Sequence, residues 1–221
     1  MSTAPAIHAV QIPDGTVRLD ADLRLPSTPA GLVIFAHGSG SSRRSRRNRD
    51  VADALDQAGF ATLLLDLLTQ QEESVDQFTR EFRFDIPRLG RRVVAAIDWA
   101  AETKGIDNLS VGCFGASTGA AAALIAAAER SDRTAAVVSR GGRPDLAGDA
   151  LPRVLAPTLL IVGGADEPVI ELNEHAMRQM SANVRLEIVP GATHLFEEPG
   201  TLEEVSRLAI EWFTAHLGKM K

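Results

Sequence analysis

A single cysteine in 221 residues excludes an intramolecular disulfide framework and removes any argument for an oxidising compartment. An excess of positive charge is also missing. Asp and Glu number 29 against 23 Lys and Arg, a formal net charge of −6 and an isoelectric point near 5.4, which argues against nucleic acid or an anionic membrane surface as partner. The opening MSTAPAIHAVQIPDG has no basic region followed by an apolar run, because Pro5 and Pro13 interrupt it, so the expected location is cytoplasmic. A charge-free stretch of twenty residues does occur, Leu109 to Ala128, but three glycines, two serines and a threonine lie inside it and its alanine-rich half is nine residues long. That is too short and too interrupted for a membrane span.

What is present, 45% hydrophobic and 24% charged residues, suits one globular domain over residues 1–221 with a substantial core. Residues 7–12 and 17–25 flank the turn signal Pro13-Asp14-Gly15. In the second run Val17, Leu19, Ala21, Leu23 and Leu25 alternate with charged residues, the period of a half-buried strand, so an antiparallel hairpin is expected at a sheet edge. From LVIFAHG (32–38) onward, continuous apolar runs alternate with helical patterns. These runs are ATLLLD (61–66), the stretch before Gly115, TAAVVSRG (134–141), TLLIVGGAD (158–166) and VRLEIV (184–189). Helices are expected up to Ala58, from Ile86 to about Lys104, after Gly119, near 169–180, and over the amphipath containing Val205, Leu208, Trp212 and Phe213. The segment from Leu67 to Phe84 has no clean period. The fold class is therefore α/β, a mostly parallel central sheet with helices on both faces, whose sites lie beyond the carboxyl ends of the strands.

One break in this pattern carries chemistry. The apolar run through Val111 and Phe114 stops at Gly115-Ala116-Ser117-Thr118-Gly119 and resumes as a helix of alanine, leucine and isoleucine. This is G-x-S-x-G between strand and helix, where a sharp turn forces the serine into a strained conformation and leaves its hydroxyl standing clear. A serine hydroxyl needs an adjacent base, and the base an acid that holds its tautomer. His8, His175 and His216 fall in an edge strand, mid-helix and on the apolar face of the last helix. His37 precedes a glycine-serine loop, and His194 follows the last strand, where the turn at Pro190-Gly191 lets it fold back. Asp166 closes a strand and is the first candidate acid, with Asp145 as the alternative.

With these residues in view the chain resembles the α/β-hydrolases, and within them it is similar to dienelactone-hydrolase-like proteins. The resemblance runs from the His37-Gly38 loop through the elbow and Gly163-Gly164-Ala165-Asp166 to His194. It implies Ser117 as nucleophile, His194 as general base and then acid, and Asp166 as the orienting acid. It also implies an oxyanion hole from the backbone N–H groups of Thr118 and Ser39, with His37 bracing that loop. Dienelactone hydrolases proper use cysteine in the elbow, whereas Cys113 here lies four residues earlier inside a strand, so the serine points to ordinary carboxylic esters.

Two further groups are candidate substrate contacts. Arg43, Arg44, Arg46, Arg47 and Arg49 crowd the proposed oxyanion loop, and Arg140 and Arg143 follow another strand end, an arrangement suited to an anionic substrate. Phe78 and Phe82, with Phe84, are placed to wall an acyl pocket. About seventeen residues separate Arg140 from Thr158, where cap-bearing α/β-hydrolases often insert the cap, so no large cap domain is expected. The reading is a monomeric or homodimeric serine esterase for small to medium esters, without metal or organic cofactor. Two alternatives stand beside it: cleavage or transfer at a thioester, lactone or C–C bond on the same residues, and a non-catalytic anion-binding protein.

Overall fold

In the computed structural model, which describes residues 6–217, the apolar runs become one eight-stranded sheet. Strands β1 (Ile7–Asp14) and β2 (Val17–Arg24) form the antiparallel hairpin. The alternation in β2 sends Leu19, Ala21 and Leu23 into the core. The hairpin joins the sheet antiparallel to β4 (Ala61–Leu65). The remaining strands run parallel: β3 (Leu32–Ala36), β5 (Val111–Ala116), β6 (Thr134–Arg140), β7 (Thr158–Gly163) and β8 (Val184–Val189). Their order across the sheet is β1-β2-β4-β3-β5-β6-β7-β8. The chain moves outward from β3 to β4 and then crosses to β5 on the other side of β3. Strand order reverses there, so the loops leaving β3 and β5 open a crevice at the carboxyl edge.

Two helical layers cover the sheet. Helices α1 (Arg46–Gln57) and α6 (Thr201–His216) press Val51, Leu55, Val205 and Phe213 against the strands on one face. The other face carries α3 (Ile86–Glu102), α4 (Thr118–Glu129) and, toward the β7 edge, α5 (Glu167–Met177). Helix α4 is buried on nearly every side. Alanine at positions 120–123 and 126–127, all inaccessible to solvent, lets it lie close to the sheet with α3 alongside, which is the meaning of an uncharged helix that spans no membrane.

Two elements depart from the expectation. The segment read as aperiodic contains α2 (Gln70–Thr79), opened by a capping box in which Thr69 and Glu72 satisfy each other's backbone N–H groups. The signal was present as Thr69-x-x-Glu72, but α2 buries only Asp76 and so has no apolar period to read. Between β6 and β7, Pro144–Arg153 forms 3₁₀ turns kinked at Gly148. The first five residues, part of the segment read for a leader, lie outside the described residues. No helix among the described residues is long and apolar enough to cross a membrane.

Candidate active site

Ser117 sits where β5 turns into α4, at φ 51° and ψ −122°, a region that L-residues occupy only under constraint. The constraint is the tight fit of the flanking glycines. A Cβ on Gly119 would lie 2.2 Å from the Ala36 carbonyl oxygen, and one on Gly115 would lie 2.4 Å from Ala120 Cα. The helix start, the strand and the loop after β3 therefore share space that no side chain can enter. The Ser117 hydroxyl is left partly exposed at the N-terminus of α4.

The loop after β8 carries His194 back to this serine. Its path is tied to the loop after β7 by backbone bonds, Ala165 N–H to Ala192 O at 2.9 Å and Gly164 N–H to Val189 O at 2.8 Å. His194 Nδ1 lies 2.7 Å from Asp166 Oδ2 and Nε2 lies 3.3 Å from Ser117 Oγ. Asp166 accepts only at Nδ1, so that nitrogen holds the proton and Nε2 faces the hydroxyl with its lone pair. Asp145, the alternative acid, instead receives two hydrogen bonds from Arg143, at 2.9 and 2.7 Å.

The loop after β3 forms the opposite wall. His37 is buried and both ring nitrogens are engaged: Nδ1–H donates to Gly38 O at 2.8 Å and Nε2 accepts the Leu67 N–H at 2.9 Å. Burial holds its pKa below the ordinary histidine value. The ring is thus a neutral brace between the loops after β3 and β4. Thr118 opens α4, where the first backbone N–H groups of a helix have no partner within it. Ser39 N–H donates to Thr118 Oγ1 at 2.9 Å, so this loop is fastened to the elbow by the very donor expected at the oxyanion. Cys113 is fully buried, its thiol pushed up to about 12 by desolvation, and it offers no thiolate.

A sequence profile of the dienelactone hydrolase family matches residues 19–216. The chain belongs to the dienelactone hydrolase family. A solved dienelactone hydrolase from Anabaena variabilis ATCC 29413 is 57% identical and superposes with a TM-score of 0.95, over 97% of this chain and all of that one. Est1E from Butyrivibrio proteoclasticus shares the fold at 20% identity and a TM-score of 0.78, over 94% of this chain and 98% of that chain. Two curated relatives, from Mycobacterium tuberculosis strains CDC 1551 and H37Rv, carry the provisional name phosphoribosyl transferase. Each is 56% identical over 208 residues, 94% of this chain. The chain spans only 46% of their length.

Among its described residues this dienelactone hydrolase family member has no large cap over the crevice, and the strands and helices match those of its α/β-hydrolase neighbours. Several expected substrate contacts are elsewhere. Phe78 is 81% exposed on α2, and Phe82 lies under the Arg88 guanidinium at 4.6 Å. The small recess beside Gly38 and Ser39 is lined by Leu67, Leu68 and Leu89 together with Glu73, Asp76 and Arg83. The arginine run also divides. Arg43 is surrounded by Asp20, Asp22 and Asp66 and Arg49 reaches Asp22 at 3.4 Å, so both brace the hairpin against α1. Arg44 is exposed at a separate polar hollow that it shares with Arg18 and Glu73. Arg47 pairs with Glu197 at 3.0 Å, and Arg140, buried at the end of β6, donates to Asn48 Oδ1 at 3.2 Å. Among the described residues no group of three or more His, Cys, Asp or Glu side chains is arranged to hold a metal ion.

Proposed function

We propose that this protein is a serine hydrolase that cleaves carboxylic esters through an acyl-enzyme, with Ser117 as nucleophile, His194 as base and then acid, and Asp166 as the group that holds the histidine tautomer. The single observation that carries this reading is the continuous path Asp166 Oδ2, His194 Nδ1, His194 Nε2, Ser117 Oγ, with steps of 2.7 and 3.3 Å. As Ser117 Oγ attacks the ester carbonyl, its proton passes to Nε2 and the imidazolium is stabilised by Asp166. The developing oxyanion meets Thr118 N–H at the positive end of α4. Ser39 N–H joins it by exchanging its bond from the Thr118 hydroxyl. The protonated histidine then returns its proton to the leaving alkoxide, and the same base activates water for deacylation.

The transferase name of the curated relatives is attached to chains more than twice as long as the match. The arrangement here delivers an acyl group to water without any further group, which supports hydrolysis as the activity of this unit. The test is covalent: a fluorophosphonate probe should add one label per chain, located by mass spectrometry on the peptide containing Ser117. Absence of labelling in folded protein, or a label on another residue, would sink the assignment.

A further inference from the structure

Helix α5 turns Val169, Asn173 and Ala176 to the interior, three positions at the spacing of an apolar stripe. Asn173 is out of place among them. It is inaccessible to solvent, where a hydrocarbon side chain of similar size would fill the space without desolvating an amide. Its Nδ2 donates to two carbonyl oxygens, that of Gly142 at 3.0 Å and that of Val169 at 2.7 Å. Two acceptors on one side fix the orientation of the amide, and Oδ1 is left buried with no hydrogen-bond partner among the described residues. The Val169 carbonyl lies one turn back within α5, where the helix ladder already serves it. The bond that calls for an amide is therefore the one to Gly142.

Gly142 belongs to the short segment 140–143 that leaves β6, and this segment clasps the proposed nucleophile by its backbone. The Arg140 carbonyl accepts the Ser117 N–H at 3.2 Å, and the Arg143 N–H donates to the Ser117 carbonyl at 3.0 Å. Between these two contacts Gly141 lies against the base. A Cβ on it would be 2.9 Å from the His194 carbonyl oxygen and 3.7 Å from His194 Cε1. Helix α5, from which Asn173 reaches, is capped at its start by Asp166, the proposed acid. One buried amide thus joins the helix of the acid to the segment that touches both nucleophile and base.

We infer that Asn173 is a positioning residue for hydrolysis at Ser117: by holding the Gly142 carbonyl it fixes segment 140–143 against both Ser117 and His194, and so maintains the 3.3 Å between Ser117 Oγ and His194 Nε2. The inference rests on the ester-hydrolase reading above. The unpaired Oδ1 is a cost that an apolar residue would avoid, and the Gly142 bond is what the amide gives in return.

Two substitutions test it. Asn173→Leu removes the amide at similar volume. Asn173→Ser keeps a hydroxyl that bonds back to the Val169 carbonyl but is too short to reach Gly142. The readouts are kcat and KM for p-nitrophenyl acetate, the rate of fluorophosphonate labelling at Ser117, and the urea midpoint. Ile97→Ala is the stability control, since Ile97 is buried in α3, an element with no part in the clasp. Both Asn173 variants should lose about 10- to 100-fold in kcat and in labelling rate with KM within about 2-fold of wild type, the signature of a misplaced nucleophile. Ile97→Ala should lower the urea midpoint at least as far and keep kcat within about 2-fold. Folded Asn173 variants with wild-type kcat, a loss confined to KM, or an equal loss of kcat in Ile97→Ala would each overturn the inference. If Asn173→Leu does not fold, Asn173→Ser decides, and failure of both to fold would make Asn173 a strut of the fold and overturn the positioning role. A folded wild type that neither turns over nor labels removes the hydrolase reading and this inference with it, whereas an active wild type with indifferent variants removes the inference alone.

Discussion

The elbow, from Val111 to Glu129, and the rim, from Leu67 to Asp85, border the same crevice and are held by opposite means. The elbow is fixed by exclusion of space: glycines against backbone, alanines against a sheet, and almost no accessible surface. The rim is fixed by polar contacts. Glu72 forms a fork with Arg92, with bonds of 2.7 Å from Nη1 and Nη2, and buried Asp76 accepts the N–H groups of Phe82 and Arg83 at 2.7 and 3.0 Å. Meanwhile Val75, Phe78 and Phe84 face solvent. Ser117, the proposed nucleophile, which that role requires to be held to fractions of an ångström, sits on the close-packed segment. The rim segment stands on a few directional bonds.

The contrast is broken or sharpened by four substitutions. Gly119→Ala should have the largest effect, because its methyl group would meet the Ala36 and His37 carbonyl oxygens at 2.2 and 2.5 Å and neither backbone can retreat without moving the oxyanion loop. Hydrolysis of p-nitrophenyl acetate should fall about 100-fold, with about 1–3 kcal/mol lost in urea unfolding. A fully active Gly119→Ala protein would mean that the elbow is not set by exclusion.

Glu72→Gln acts on the rim. Burial alone would raise the Glu72 pKa, but the hydrogen bonds and charge of Arg92 and the capping bond from Thr69 bring it from 4.5 to about 2. Between these values the unfolded chain binds more protons than the folded one. Stability from this carboxylate is therefore complete above pH 4.5 and is lost as pH falls toward 2. Glu72→Gln should cost about 1–2 kcal/mol at pH 7 and flatten the decline below pH 4.5, as read from urea midpoints at pH 7 and pH 3.

Thr118→Val keeps the branched side chain and removes the acceptor of the Ser39 N–H. Because the Ser39 N–H leaves this acceptor for the oxyanion in the proposed mechanism, loss of the hydroxyl should cost about 1–1.5 kcal/mol in urea unfolding without lowering kcat. Phe78→Ser should be nearly silent, within about 0.5 kcal/mol in stability and without effect on short esters. A marked loss of activity there would place Phe78 in the acyl pocket after all.

The same contrast explains what could be read from the sequence. Strand β8 spans the residues that the VRLEIV pattern marks, and the glycine spacing around Ser117 announces a turn that only one backbone geometry satisfies. Both signals are local. Helix α2 was illegible because its anchors, Arg92 and Arg83, lie outside its own span, and only the Thr69-x-x-Glu72 signature hinted at it. The arginine run could not be divided by inspection either. Its partners Asp20, Asp22 and Asp66 come from β2 and from the end of β4, and the partner of Arg47, Glu197, lies 150 positions further along the chain. Nor could the sequence reveal that the Ser39 N–H would be engaged by the Thr118 hydroxyl, since that bond depends on how the loop after β3 docks on the elbow.

The central claim is that Ser117 is the nucleophile of an ester hydrolase, and the most direct measurement is hydrolysis of p-nitrophenyl acetate by the wild type and Ser117→Ala side by side, both verified as folded. The account predicts turnover by the wild type and a loss of at least about 10⁴-fold in kcat for the variant. Equal rates in the two proteins, or a folded wild type with no turnover, would contradict it.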